Sequence, residues 1–137
     1  CPELNLCLIS DGQHLPEPFL RMVLNCVPGK RLAITSDMVM YAGMPPGFYE
    51  RERTRLHLRP DGRLCLADDE KLLYGSCLTQ MQCMNHLARL GLYDVDQLVS
   101  VGCHNPLHMM GQDVGAFMQR EHRLRWDETT EQFLPIN

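Results

Sequence analysis

The sequence predicts an α/β fold, and three stretches carry that expectation. Lys30-Arg31-Leu32-Ala33-Ile34-Thr35-Ser36-Asp37 runs mostly apolar residues into small polar ones and then an acid. This is the pattern of a strand buried on both faces. Leu4 to Ile9 is a second apolar run of strand length. Between the two, Leu20, Val23, Leu24 and Val27 fall at i, i+3, i+4 and i+7, one apolar stripe of a helix. Strand, helix, strand makes a βαβ unit, with parallel strands and a right-handed crossover. Parallel strands end on one edge of a sheet, so Asp11, His14 and Asp37 are expected there, at the end where α/β proteins place chemistry.

The remaining elements follow from local signals. Pro16 and Pro18 open the first helix, where a missing N–H costs little, and Pro28-Gly29 closes it. Met38 to Gly47 has loop composition. Thr54 to Arg59 and Arg63 to Leu66 alternate polar and apolar residues across Pro60-Asp61-Gly62, which predicts a hairpin with one wet face. Asp68 to Lys71 is expected to be a solvated charged loop, and Leu72 to Tyr74 a short apolar piece ending at Gly75. Ser76 is the expected N-cap of a helix from Cys77 to Leu90, with Leu78, Met81, Met84, Leu87 and Ala88 as its stripe and Gly91 as its stop. Asp94-Val95-Asp96-Gln97 predicts a capping box for a helix to about Val101. Asn105-Pro106 is expected to break that helix, leaving one further turn from Leu107 to Met110. Arg123 to Trp126 and Gln132 to Ile136 read as two short strands.

The bulk numbers exclude several classes. At 137 residues and 45 % hydrophobic, the chain has the material for one ordinary core. A net charge of −4 with scattered Lys and Arg argues against a nucleic-acid surface, and no apolar run is long enough to span a membrane. Seven cysteines, an odd count with no Cys-x-x-Cys pair, read as buried free thiols in a reducing compartment, the cytoplasm. A disulfide framework or a zinc site is the alternative. The chain starts at Cys1 rather than at a methionine, which is expected of a processed N-terminus or of a piece of a longer chain.

Chemistry is carried by few residues. Asp37, a carboxylate at a strand end, could serve as a general base toward water or as a metal ligand. An Asp at that position also commonly caps a loop through backbone N–H groups. His14 could polarise a substrate carbonyl or bind a metal, or it could simply be satisfied by backbone at a helix start. His104 and His108 have the i, i+4 spacing of a ligand pair, but Pro106 lies between them. His57, His86 and His122 read as lone histidines on exposed faces. No phosphate-cradling glycine loop and no Gly-x-Ser-x-Gly elbow occurs.

Six segments, in order, resemble the C-terminal part of the N-acetylglucosamine-6-phosphate deacetylases of the amidohydrolase superfamily. Leu8-Ile9-Ser10-Asp11-Gly12-Gln13-His14-Leu15 is similar to that family's Asp-Gly-x-His segment, and Ala33-Ile34-Thr35-Ser36-Asp37 to the strand that delivers its catalytic aspartate. Ala42-Gly43-Met44-Pro45-Pro46-Gly47-Phe48-Tyr49 resembles its Ala-Gly-x-Pro-x-Gly-x-Tyr loop. Leu64-Cys65-Leu66-Ala67-Asp68, Tyr74-Gly75-Ser76-Cys77-Leu78-Thr79 and Asn105-Pro106 match its Leu-Ala-Asp, Gly-Ser-x-Leu-Thr and Asn-Pro segments. Departures are local. Met38 stands where the family has Ala, Asp69-Glu70-Lys71-Leu72 lengthens the exit of the hairpin, and the tail keeps only a trace of the family pattern.

The resemblance implies a metal-dependent (β/α)8 barrel with a small β-sandwich. Of this, residues 1–111 would supply the last barrel strands and helices, with a hairpin insertion at 53–67, and 112–137 the C-terminal sandwich strands: an incomplete barrel. It implies hydrolysis of N-acetylglucosamine 6-phosphate to glucosamine 6-phosphate and acetate. Asp37 would be the general acid/base, His14 would contact the N-acetyl group, and Gly75, Ser76, Cys77 and Leu78 would line the sugar pocket. It implies a divalent metal, zinc or iron, held mainly by residues outside this chain. A barrel of this kind needs ~250 residues, so the isolated chain is expected to be inactive. The alternatives are a non-catalytic α/β binding module derived from the barrel, its strand edges covered by self-association, or an amidohydrolase of other amide specificity.

Overall fold

The computed structural model describes residues 4–119 and 123–136. In chain order the elements are β1 (Leu6–Ile9), α1 (Glu17–Cys26), β2 (Leu32–Thr35), β3 (Gly47–Arg51), β4 (Thr54–Leu58), β5 (Arg63–Leu66), β6 (Leu73–Ser76), α2 (Gln80–Ala88), α3 (Val95–Val99), α4 (Asn105–Met109), α5 (Val114–Met118), β7 (Leu124–Asp127) and β8 (Gln132–Pro135). They fall into two compact units, residues 1–35 with 80–137, and residues 36–79. No described helix is long and apolar enough to cross a membrane.

In the first unit β1 and β2 pair in parallel, from Leu6 opposite Leu32 to Ile9 opposite Thr35, as the βαβ reading requires. Leu32, Ala33 and Ile34 are all buried. Only Leu8 is fully buried on β1, while Leu6 and Cys7 are exposed. α1 starts on Pro16 and Pro18 without a side-chain cap, and Glu17 in its first turn suits the helix dipole. Leu20, Val23 and Leu24 are its buried stripe, each contributing ~1.5–3 kcal/mol relative to exposure. Val27 turns extended and ends the helix, so the fourth expected stripe position is only half-buried.

The capping box at Asp94 and Gln97 is present, with both reciprocal bonds. The expected break at Asn105-Pro106 does not occur. The chain passes from α3 through a wide π turn over Ser100–His104 directly into α4. Two features make room for the proline. The Asn105 N–H reaches back five residues to the Ser100 carbonyl, which widens the turn. Pro106 has no N–H for the Gly102 carbonyl, which instead accepts from Gln80 Nε2 at 3.1 Å. The Asn105 side chain then donates to the carbonyls of Gly29 and Leu32, at 2.8 and 2.7 Å, tying this helix to the start of β2.

α2 begins at Gln80 rather than Cys77. Ser76 is not its cap, because Ser76 ends β6 and pairs with Arg63 and Met38. Gly91 closes the helix region at φ +65° as expected. Met84 is buried core and Met81 half-buried. β7 and β8 form the antiparallel pair read from the tail. β8 docks on α2 through Asn85, whose side chain imitates a neighbouring strand: Nδ2 donates to the Phe133 carbonyl at 3.0 Å and Oδ1 accepts the Phe133 N–H at 2.7 Å.

The second unit is an antiparallel sheet in the order β3-β4-β5-β6. The hairpin over Pro60-Asp61-Gly62 is there. β3 is an addition to the sequence reading, and the apolar piece after the charged loop runs on through Gly75 as β6. The core of this unit is Tyr41, Leu56, Leu58, Leu64 and Cys77, with Val39, Tyr49, Leu66 and Tyr74 packed around it.

Cys65, Cys77 and Cys83 are buried free thiols, whereas Cys7 and Cys26 are exposed, contrary to the uniform expectation. Burial pushes the Cys83 thiol up to about 12, helped by the neighbouring Asp11 carboxylate. Two expectations about histidines also need correction. His57 and His86 are half-buried rather than exposed, the one hydrogen-bonded to Glu70 and the other packed beneath Gly12. His122 lies outside the described residues.

Candidate active site

The turn after β1 is built around Asp11. Its side chain is fully buried, with Oδ1 accepting the N–H groups of Gln13 at 2.9 Å and His14 at 3.0 Å. Its Oδ2 lies 2.7 Å from His14 Nδ1. Burial alone would raise this carboxyl. The Gln13 and His14 N–H groups and the His14 ring outweigh it and hold the carboxyl below its ordinary value. The carboxylate fixes the ring with Nδ1–H toward it and leaves Nε2 as the second polar atom. The His14 side chain is 20 % exposed, so it can meet a ligand without being loose.

The turn is seated on α2. Ser10 Oγ donates to the Cys83 carbonyl at 2.9 Å. Gly12 adopts φ +76°, and a Cβ there would come within 2.6 Å of the His86 ring, so only glycine fits this approach. Burial, followed by the charge of Arg89, lowers the His86 pKa and favours the neutral ring under the turn.

Asp37 lies in the second unit, two residues beyond the end of β2, and is exposed. It adopts φ +47°, a left-handed conformation that Asp tolerates better than most residues. Next to it Met38 forms a parallel bridge with Ser76, and the Val39 N–H donates to the Ser76 carbonyl at 2.9 Å. The structure therefore brings Asp37 to the Gly75–Leu78 segment. Gly75 is at φ +112° with Val39 packed on it, leaving no room for a Cβ. The Ser76 side chain is buried, with Oγ accepting the Leu78 N–H at 3.2 Å. Cys77 belongs to the apolar core. The outward offer of this segment is thus backbone and Leu78 rather than the Ser76 hydroxyl or the Cys77 thiol.

Among the described residues, one group of three or more metal-ligating side chains comes together: His57, Cys65 and Glu70, with ligand atoms within 4.8 Å of one another. Asp37, His14, His104 and His108 are in no such group. The donors around Asp37 and His14 do not by themselves fit a complete catalytic metal centre. A shallow groove of about 470 Å³ in the first unit, lined by Leu24, Lys30, Tyr93, Asp94 and Asn105 among others, contains none of the residues expected to act.

Sequence reasoning missed two partners. The sequence places Asp11 at the sheet edge, but nothing local marks it as the residue that holds His14. The His57–Cys65 pair was legible in principle, because the two residues are equally far from the centre of the hairpin and so face each other across it.

Comparison with known proteins gives the fold a clear place. No family model matches the chain, and no curated protein matches it. Solved structures do. The chain has the fold of a portion of an amino-sugar deacetylase. It is similar to the N-acetylglucosamine-6-phosphate deacetylase of Thermotoga maritima, with TM-score 0.73 and 20 % identity over 96 % of this chain and 36 % of that one. The Mycobacterium smegmatis N-acetyl-D-glucosamine-6-phosphate deacetylase gives TM-score 0.76 at 20 % identity, with the same coverage. A variant of the M. smegmatis enzyme in complex with N-acetyl-D-glucosamine-6-phosphate gives TM-score 0.73 at 19 % identity, over 95 % of this chain and 36 % of that one. The chain spans about a third of the length of these structures.

Proposed function

We propose that this chain is the C-terminal part of an amidohydrolase that deacetylates N-acetylglucosamine 6-phosphate to glucosamine 6-phosphate and acetate. In this reading residues 1–111 belong to a (β/α)8 barrel and 112–137 to a small β-sandwich, in a cytoplasmic protein. The observation that carries it is the likeness of nearly the whole chain to these deacetylases, one of them a complex with that sugar phosphate. The outward exposure of Leu6 and Cys7 on β1 also supports further structure against that strand, since parallel strands are normally covered on both faces.

The roles follow from the chemistry of each side chain. Asp37 takes a proton from the attacking water and returns it to the departing amine. Its left-handed backbone holds the carboxylate at the strand end. His14, locked by Asp11, approaches the acetyl group through Nε2. Gly75 and Leu78 shape the wall beside the sugar, with Ser76 and Cys77 holding that wall from behind. The divalent metal of such enzymes, zinc or iron, would take its ligands mainly outside this chain, and the isolated chain is expected to be inactive.

Acetate release is the direct test. The protein that contains this chain should liberate acetate and free amine in equal amounts from N-acetylglucosamine 6-phosphate. No release from any N-acetyl amino sugar, phosphorylated or not, would count against the reading. A non-catalytic binding module is the second reading, in which the exposed residues Leu6 and Cys7 of β1 are covered by self-association. Sedimentation separates the two: a compact, cooperatively unfolding monomer or dimer of this chain supports the module.

A further inference from the structure

We infer that His57, Cys65 and Glu70 form a zinc site that clips the exit loop of the β4–β5 hairpin onto its outer face. The three side chains come from different places. His57 on β4 and Cys65 on β5 are direct cross-strand partners, whose Cβ atoms lie ~4.5–5.5 Å apart in any antiparallel pair. They stand on the opposite face from the core residues Leu56, Leu58 and Leu64. Glu70 comes from the loop between β5 and β6, in the four-residue stretch that departs from the deacetylase pattern. No role in the proposed hydrolysis uses any of the three.

The geometry is near that of a bound ion. Tetrahedral zinc with bonds of about 2.0–2.3 Å places its ligand atoms roughly 3.3–3.8 Å apart. Here one ligand atom from each residue lies within 4.8 Å of the others, and Glu70 Oε1 is 2.8 Å from His57 Nδ1. The imidazole is already oriented, stacked on Phe48 with centroids 4.4 Å apart and planes inclined by 19°. Arg59 Nη1 donates to the other Glu70 oxygen, Oε2, at 3.3 Å, and Arg63 Nη2 donates to the Glu70 carbonyl at 3.2 Å. Oε1 therefore remains the atom turned to the site, and the arginines hold the loop as outer partners do in metal sites. Cys65 is completely buried while the other two side chains are 24 % and 47 % exposed, so an ion enters from the solvent side and meets the thiol last.

The donor set defines the class of ligand. A thiolate, an imidazole and a carboxylate suit zinc and exclude magnesium and calcium, which prefer oxygen alone. Three protein ligands leave the fourth position for water. On binding, the Cys65 thiol would release its proton to solvent as the Zn–S bond forms, and the neutral His57 ring would carry its single N–H on Nε2 while Nδ1 binds the ion.

The test is titration of the full chain with Zn²⁺ by calorimetry and with Co²⁺ by absorption. The expected result is one ion per chain and a thiolate-to-cobalt charge-transfer band. Glu70→Gln and His57→Gln touch partly exposed side chains and leave the fold intact. Each should weaken zinc by more than the ~10–100-fold that losing an outer partner costs. Cys65→Ser should abolish the band, and Cys7→Ser with Cys26→Ser should leave it unchanged. A band that survives Cys65→Ser, a band lost with the exposed cysteines, or zinc affinity unmoved by Glu70→Gln and His57→Gln would overturn the proposal. None of these outcomes bears on acetate release.

Discussion

Asp11 grips His14 twice: Oδ2 lies 2.7 Å from the imidazole Nδ1, and Oδ1 accepts the His14 N–H at 3.0 Å. One buried carboxylate thereby fixes both the backbone and the ring of the residue proposed to meet the acetyl group. Its carboxyl sits below the ordinary 3.8, so it binds protons less readily folded than unfolded. The stability it contributes is fully present above 3.8 and is lost as the pH falls below that value toward the folded pKa. Urea midpoints measured between neutral and strongly acidic pH should fall in the wild type over this acid range, and Asp11→Asn should flatten that fall. At neutral pH the same variant should cost about 1–3 kcal/mol, because buried N–H groups lose a charged acceptor.

Gly75 is expected to tolerate no side chain. It combines φ +112° with Val39 Cγ1 only 2.5 Å from where a Cβ would stand. Gly75→Ala should destabilise by about 1–3 kcal/mol from overpacking and left-handed strain together. Adding Val39→Ala removes the clash but not the strain. The double-mutant cycle should therefore show a positive coupling that recovers part of the loss. Chemical denaturation of the four variants measures it.

Asn85 replaces a strand at the edge of β8. Asn85→Ala leaves the Phe133 N–H and carbonyl buried without their present partners, at a cost of about 1–3 kcal/mol for each such group. Hydrogen exchange at Phe133 should accelerate strongly in this variant, while amides of β4 and β5 keep wild-type protection.

What the sequence makes legible depends on where the deciding forces lie. The βαβ unit, the hairpin, the Asp94 capping box and the two tail strands rest on local periodicity and capping, and each is present. β3 was not visible, because Gly47-Phe48-Tyr49-Glu50-Arg51 is a weakly alternating edge strand whose partner comes later in the chain. The break expected at Asn105-Pro106 fails for a tertiary reason. Gln80 Nε2 donates to the Gly102 carbonyl that the proline leaves open, and the Asn105 side chain donates to the Gly29 and Leu32 carbonyls; these partners come from distant segments. Ser76 is a plausible cap by composition, yet its pairing with Met38 takes precedence. The Asp68–Lys71 loop was expected to be merely solvated, but Glu70 binds His57 and Arg59. At the candidate site, the residue types of Asp37, His14 and the Gly75–Leu78 segment were readable in sequence. Their supports, Asp11 beneath His14 and Val39 beneath Gly75, are visible only in space.

Asp37→Asn tests the central claim most directly. Asn adopts the left-handed backbone as readily as Asp, so the unfolding midpoint of the protein containing this chain should stay near wild type. Turnover of N-acetylglucosamine 6-phosphate should fall by ~10²–10⁴-fold as the general base is lost. Near-normal turnover by the well-folded variant would contradict the role given to Asp37, and with it the mechanism proposed here.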